Sequence, residues 1–179
     1  MTLVLKSLLP AYGGYTIARD KDEKVILLRG AVPGEVIEVK IEERKRDYSI
    51  AKVTDVIEPS EDRVEPECRV FGLCGGCQLQ FMSYSRQLII KDEILHDSLT
   101  RIGGIEISLS PSISDKQWNY RHKANFKVSK LAEVGLFKGS SREIIDFETC
   151  PLMKPEINMH AGDYLVDKYV LDGGTGGIY

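Results

Sequence analysis

Three of the four cysteines fall within ten residues, as Cys68-x5-Cys74-x2-Cys77, and the fourth is Cys150, followed directly by Pro151. A Cys-x2-Cys pair puts two thiolates on one tight turn aimed at a common centre. Gly75 and Gly76 between them let the backbone bend and turn N–H groups toward sulfur, the kind of hydrogen bond that tunes an iron–sulfur cluster. Pro151 has no N–H and stiffens the chain leaving the fourth ligand. Three clustered cysteines plus a distant cysteine–proline is a recurring layout for a 4Fe–4S cluster. Zinc is the main competitor, although four-cysteine zinc sites usually come as two Cys-x2-Cys knuckles and this chain has one such pair. Inert buried thiols are the third reading.

Two basic segments stand out from a chain whose net charge is −3. The first is Arg44-Lys45-Arg46, followed by Tyr48. It reads either as a solvated hairpin tip or as a phosphate-contacting edge on which Tyr48 offers a stacking face. The second, Lys116 to Lys130, carries Lys116, Arg121, Lys123, Lys127 and Lys130 and no acidic residue. On a strand, Tyr120, Ala124, Phe126 and Val128 would share one face, and Arg121, Lys123, Asn125 and Lys127 the other. That second face is a candidate phosphate track, with an ordinary solvated strand as the alternative. His96 reads as a surface residue rather than a ligand or base, and Trp118 as core rather than a base-stacker.

The elements that must position these groups follow from pattern. Of 179 residues, 42% are hydrophobic and 28% charged, an ordinary globular balance. No stretch approaches the roughly 20 apolar residues needed to cross a bilayer, and the opening segment reads as a strand rather than a signal peptide. A cytoplasmic location is expected, where structural disulfides are rare. Residues 1–58 carry short alternating runs punctuated by Gly and Pro, with Ile37, Val39 and Ile41 set against Glu38, Lys40 and Glu42. This predicts a small all-β barrel. Residues 59–67 read as a polar linker. A helix is predicted over 83–104, with Leu88, Leu95, Leu99 and Ile102 on one face and Gly103-Gly104 as its stop. Strands are then predicted in "QWNYRHKANFKVSK", "AEVGLFKG" and "REIIDFETC", with a tight turn at Gly139-Ser140-Ser141, and a final helix from Pro155.

Taken together these motifs resemble the RNA (uracil-C5)-methyltransferases, enzymes that methylate uridine in ribosomal or transfer RNA with S-adenosylmethionine. "CRVFGLCGGCQLQ" is similar to their iron–sulfur signature, and residues 9–68 to their N-terminal TRAM domain, an OB-like barrel for RNA running straight into the first cysteine. "WNYRHKANFKV" resembles a strand of their central domain, and "IIDFETCPLM" the segment with their fourth cluster cysteine. Order and spacing agree across nearly the whole chain.

The resemblance implies a TRAM domain over 1–58, a linker, and an α+β iron–sulfur central domain over 68–179. It implies a 4Fe–4S cluster on Cys68, Cys74, Cys77 and Cys150, with zinc as the alternative. It also implies RNA contacts at Arg44, Lys45, Arg46, Tyr48, Arg121, Lys123 and Lys127. The family's Rossmann-like domain, which carries the S-adenosylmethionine site, the nucleophilic cysteine and the general base, has no counterpart in these residues. The chain is therefore expected to be a truncated portion, without catalytic residues and inactive alone. If all four thiols hold a cluster, none is left to attack uracil. "YVLDGGTGG" imitates a cofactor-binding glycine turn at Gly174 and Gly176, but without the following helix that such a turn serves it reads as a loop. Two rivals remain: a stand-alone RNA-binding module stapled by a structural metal, and, more weakly, an electron-transfer or redox-sensing protein.

Overall fold

The computed structural model describes residues 2–128, 134–160 and 177–178. They form two compact units that interleave along the chain. One takes in Met1–Glu65 and Gln78–Ile113, the other Pro66–Cys77 and Ser114–Tyr179.

The first unit is built on six strands: β1 Thr2–Lys6, β2 Leu9–Ala11, β3 Tyr15–Arg19, β4 Val25–Arg29, β5 Val36–Arg44 and β6 Tyr48–Glu58. Their order is β1-β5-β6-β4-β3-β2, and every pairing is antiparallel except β4 with β6. Only Ser7 and Leu8 separate β1 from β2, yet these two strands are the opposite edges of the sheet. One stretch of chain therefore supplies both edges of the sheet. Register shifts between Val36/Ile37, Glu38/Val39 and Ile41/Glu43 bend β5 along β6. Ser7 manages the switch: its hydroxyl donates to Val32 O (2.6 Å) and accepts from Glu35 N (3.0 Å).

The two-residue alternation gives this sheet its core. Leu5, Ala18, Ile26, Leu28, Ala31, Ile37, Val39 and Ala51 pack together, with Ile41 and Val53 against them. Each fully buried Leu or Ile in such a cluster contributes about 1.5–3 kcal/mol. A charged pair joins the rim of this core. Glu35 is fully buried and accepts from Val32 N (2.8 Å), Ser60 N (3.2 Å) and Arg63 Nη2 (2.7 Å). Arg63 also donates to Gly30 O (2.8 Å) and lies over the Phe81 ring. Part of the stretch read as a linker is thus fastened to the sheet.

Helix α1, Tyr84–Asp97, continues as a π-helical turn over Ser98–Ile102. Ser83 caps it by accepting from Arg86 N, and its hydroxyl donates to Asp62 (2.7 Å). Gly104, at φ 64°, follows the end. The expected apolar stripe does not form the buried face. Leu95 and Ile102 are exposed, and Ile90 is the buried residue of α1. The inward side is fixed instead by Ile90 and by Gln87, whose amide donates to Met82 O (3.0 Å).

The second unit contains β7 Ala124–Asn125, β8 Lys127–Val128, β9 Val134–Phe137, β10 Ile144–Ile145, α2 Pro155–His160 and β11 Gly177–Ile178. β10, β9 and β8 form one sheet in that order, and β7 pairs with β11. Ala124, Phe126, Cys150, Leu152, Met153 and Ile157 make its core, with Trp118, Leu136 and Phe147 packed on it. Phe126 and Phe147 stack at 5.9 Å.

Among the described residues, the strand predicted across 117–130 is reduced to β7 and β8. Asn119 takes a left-handed conformation (φ 55°), which breaks the extended backbone before Tyr120. Ala124 and Phe126 are buried as expected, but Tyr120 is 49% exposed. Lys130, Gly174, Gly176 and the predicted helix beyond residue 160 lie outside the described residues. Among the described residues no helix is long and apolar enough to cross a membrane.

Candidate metal centre

The loop from Cys68 to Cys77 is held in shape by its own backbone and by the β9–β10 hairpin. Phe71 N bonds Cys68 O (3.0 Å) and Cys74 N bonds Val70 O (2.9 Å), so the loop turns twice between its first two cysteines. Gly72 makes the reversal possible at φ 80°. Cys74 then pairs antiparallel with Lys138, flanked by Gly75 N to Phe137 O (3.1 Å) and Gly139 N to Leu73 O (2.9 Å). The two backbones approach so closely that a methyl group on Gly75 would stand 3.2 Å from Gly139 Cα. The glycines of the Cys-x2-Cys turn therefore serve docking as well as bending. Gly76 N donates to Cys74 Sγ at 3.4 Å, the N–H to sulfur contact that the spacing predicts.

Cys150 belongs to the same unit. It is buried, and Met153 N closes a turn onto its carbonyl (3.0 Å). Asn158 on α2 bonds both its N–H and its carbonyl. The distant cysteine and the three local ones line a single cavity, shared with Val70, Phe71, Arg121, Leu136, Phe147 and Leu152 among others. No disulfide joins them. Burial pushes the Cys68 thiol above its ordinary pKa, opposed by a backbone hydrogen bond from Val70 and reinforced by Cys150 and Cys74.

All four thiols share this cavity, and none of the other lining residues is a carboxylate or imidazole, so the donor set suits a thiolate-bound group. Among the described residues, however, no three His, Cys, Asp or Glu side chains are arranged to hold a metal ion. Tetrahedral zinc with bonds of about 2.3 Å needs its sulfurs within ~4 Å of one another. The thiols thus converge on one place without closing around a single ion.

The basic residues fall into different surroundings. Lys45 pairs with Glu43 (2.8 Å), and that bond raises the lysine pKa and lowers the glutamate's. Arg46 lies 3.6 Å from Asp47. Arg44 and Tyr48 are exposed at the same hairpin, which Lys45 N closes by bonding Tyr48 O. Lys123 is exposed, and Lys127 lies half-buried over the Phe137 ring at 5.3 Å. Arg121 lines the thiol cavity. Alternation placed it with the lysines, because that reading assumed an unbroken strand. Trp118 packs on the core and His96 is exposed, both as expected. Asn158 carried no sequence signal for its contact with Cys150.

No family model matches the sequence. An RNA methyltransferase of Aquifex aeolicus is 40% identical over 149 residues, covering 82% of this chain and 35% of the relative. The 23S rRNA (uracil(1939)-C(5))-methyltransferase RlmD of Methylococcus capsulatus is 35% identical over 153 residues, covering 82% and 34%. Among solved structures, the Pyrococcus abyssi tRNA (uracil-54, C5)-methyltransferase in complex with S-adenosyl-L-homocysteine aligns with a TM-score of 0.52 and 25% identity. That match covers 88% of this chain and 34% of the other. These similarities define a class, the RNA methyltransferases. Within it, the Methylococcus capsulatus relative and the solved Pyrococcus abyssi enzyme are RNA (uracil-C5)-methyltransferases, to which the matched residues of this chain are similar; the chain spans about a third of the length of the relatives it matches.

Proposed function

We propose that this chain is the RNA-engaging, iron–sulfur-bearing portion of an S-adenosylmethionine-dependent RNA (uracil-C5)-methyltransferase acting on ribosomal or transfer RNA. The observation that carries the reading is the convergence of Cys68, Cys74, Cys77 and Cys150 on one cavity. These four cysteines would hold a 4Fe–4S cluster, which when bound supplies a cross-link between the 68–77 loop and the segment after β10. The ligand spacing, one Cys-x2-Cys pair with a separate first cysteine and a distant fourth, favours a cluster over zinc. Val70, Phe71, Leu136 and Phe147 would give the centre apolar walls.

The six-stranded unit is read as an OB-like TRAM barrel. Its parallel β4–β6 pair, its double-edged first segment and its bulged β5 support that assignment. RNA would meet it at Arg44, Lys45, Arg46 and Tyr48, and meet the second unit at Lys123 and Lys127. Single-stranded or looped RNA suits such surfaces, because a uridine must leave the stack before its ring can be modified. With every cysteine committed to the centre, no thiolate remains to attack the uracil ring, so the methyl transfer would rest on other parts of a full-length member. The neighbour's S-adenosyl-L-homocysteine complex supports the choice of methyl donor.

Anaerobic purification tests this directly. Iron and sulfide should be present in amounts matching a 4Fe–4S cluster, with broad visible absorbance, and both should be lost in Cys150→Ser. A colourless protein with stoichiometric zinc would replace the cluster by a zinc staple. Incubation with radiolabelled S-adenosylmethionine and RNA should transfer no label to RNA from this chain alone.

A further inference from the structure

Arg121 is half-buried and lines the cavity of the four cysteines. It carries the one full positive charge among the lining residues. Among the described residues its side chain has no ion-pair, hydrogen-bond or ring partner, unlike Arg63, Arg69, Arg86 and Arg101. A partly buried cation with no partner is costly unless an anion arrives. Its backbone is not free to carry it away. Arg121 N bonds Leu152 O (2.8 Å) and Lys154 N bonds Arg121 O (2.9 Å), which ties it to the turn that begins at Cys150.

The charge count supplies the anion. Metal-binding cysteines are deprotonated, so four of them bring four negative charges. A divalent zinc or an oxidised 4Fe–4S core offsets two of these and leaves two. In a cavity walled by Val70, Phe71, Leu136, Phe147 and Leu152, little else compensates the remainder.

We infer that Arg121 is a positioning residue of the four-cysteine centre, one whose cation offsets the thiolate charge and so holds the loaded state together and sets its reduction potential. This rests on the proposed metal centre. It also separates Arg121 from Lys123 and Lys127, which are read as RNA contacts.

The test uses the full chain, reconstituted anaerobically with iron and sulfide, as wild type, Arg121→Met, Arg121→Lys and Lys123→Met. Circular dichroism of each metal-free protein checks folding. Arg121→Met is expected to lose its visible absorbance to a chelator about tenfold faster than wild type, within the range for removing an outer-sphere partner. Its midpoint potential is expected to move negative, because reduction adds charge that nothing offsets. Arg121→Lys restores both, and Lys123→Met changes neither. A wild-type rate and potential in Arg121→Met overturn the inference. So does a loss of RNA affinity in that variant with the centre unaltered, which would make Arg121 an RNA contact. Should Arg121→Met misfold, Arg121→Gln replaces it with the same expectations. Failure of the wild-type chain to retain any metal instead overturns the metal centre itself, and this inference with it.

Discussion

Asn158 grips the main chain of Cys150 from both sides: the Cys150 N–H donates to Asn158 Oδ1 (2.9 Å) and Asn158 Nδ2 donates to Cys150 O (3.1 Å). One side chain thereby orients the backbone of the most distant of the four cysteines. Asn158→Ala leaves both backbone groups without this partner and is expected to lower the stability of the metal-free protein by about 2 kcal/mol. Asn158→Asp keeps the acceptor but turns a second oxygen toward a carbonyl, and is expected to behave no better. Thermal denaturation reads the stability, and iron content after anaerobic reconstitution reads the ligand. Full iron retention in both variants would show that the clamp is dispensable for Cys150.

Glu35 and Arg63 make the same kind of statement about the first unit. Glu35→Gln withdraws the charge that Arg63 faces, and breaking such a buried pair from one side is expected to cost about 3 kcal/mol. The double variant Glu35→Gln/Arg63→Met is expected to lose less than the two single losses combined, because neither charge is then stranded. Urea denaturation of the four proteins closes this cycle. A single-variant loss within about 0.5 kcal/mol, the scale of a surface substitution, contradicts it.

Gly135 faces a harder limit. A Cβ there would come within 2.1 Å of Ile145 O on the neighbouring strand, and backbone cannot swing aside as a side chain can. Gly135→Ala is expected to destabilise the second unit by roughly 1–3 kcal/mol and to speed alkylation of Cys150 in the metal-free protein. Gly34→Ala is a useful contrast. It has open space but a φ of 100°, so its cost is conformational and local to the first unit.

Asp92 accepts from the Ser112 hydroxyl and from the Ser112 N–H (3.0 Å), and these bonds, the hydroxyl first, hold its carboxyl below the usual range. A carboxylate with a depressed folded pKa stabilises the fold above its unfolded pKa and loses that contribution as pH falls through the folded value. The tether between α1 and residue 112 is therefore expected to hold at neutral pH and to release only in acid. The Ser112 amide resonance should titrate with a midpoint below that of an ordinary aspartate, and Asp92→Asn should abolish the titration.

Sequence pattern reached the local features and stopped at the long-range ones. Alternation in β5 placed Ile37 and Val39 in a core because a strand's two faces are set by the strand itself. The Gly103-Gly104 pair marked the end of the helical segment because a stop signal acts within a turn. Which side of α1 turns inward depends on what it meets, and Ile90 was not on the expected stripe. Glu35 looked like any surface glutamate, since its partner Arg63 is far along the chain. The cysteine motif was legible through its spacing, whereas Arg121 and Asn158 acquire their places only once the Asn119 break and α2 are built.

The interleaving of the two units has a consequence during synthesis. The chain commits Cys68, Cys74 and Cys77 to the second unit, then spends residues 78–113 completing the first before Cys150 is made. At ~5–20 residues per second, three nucleophilic thiols wait several seconds for their fourth companion. Oxidants are therefore expected to reach these three thiols in the nascent protein during a brief window on the ribosome, before Cys150 exists.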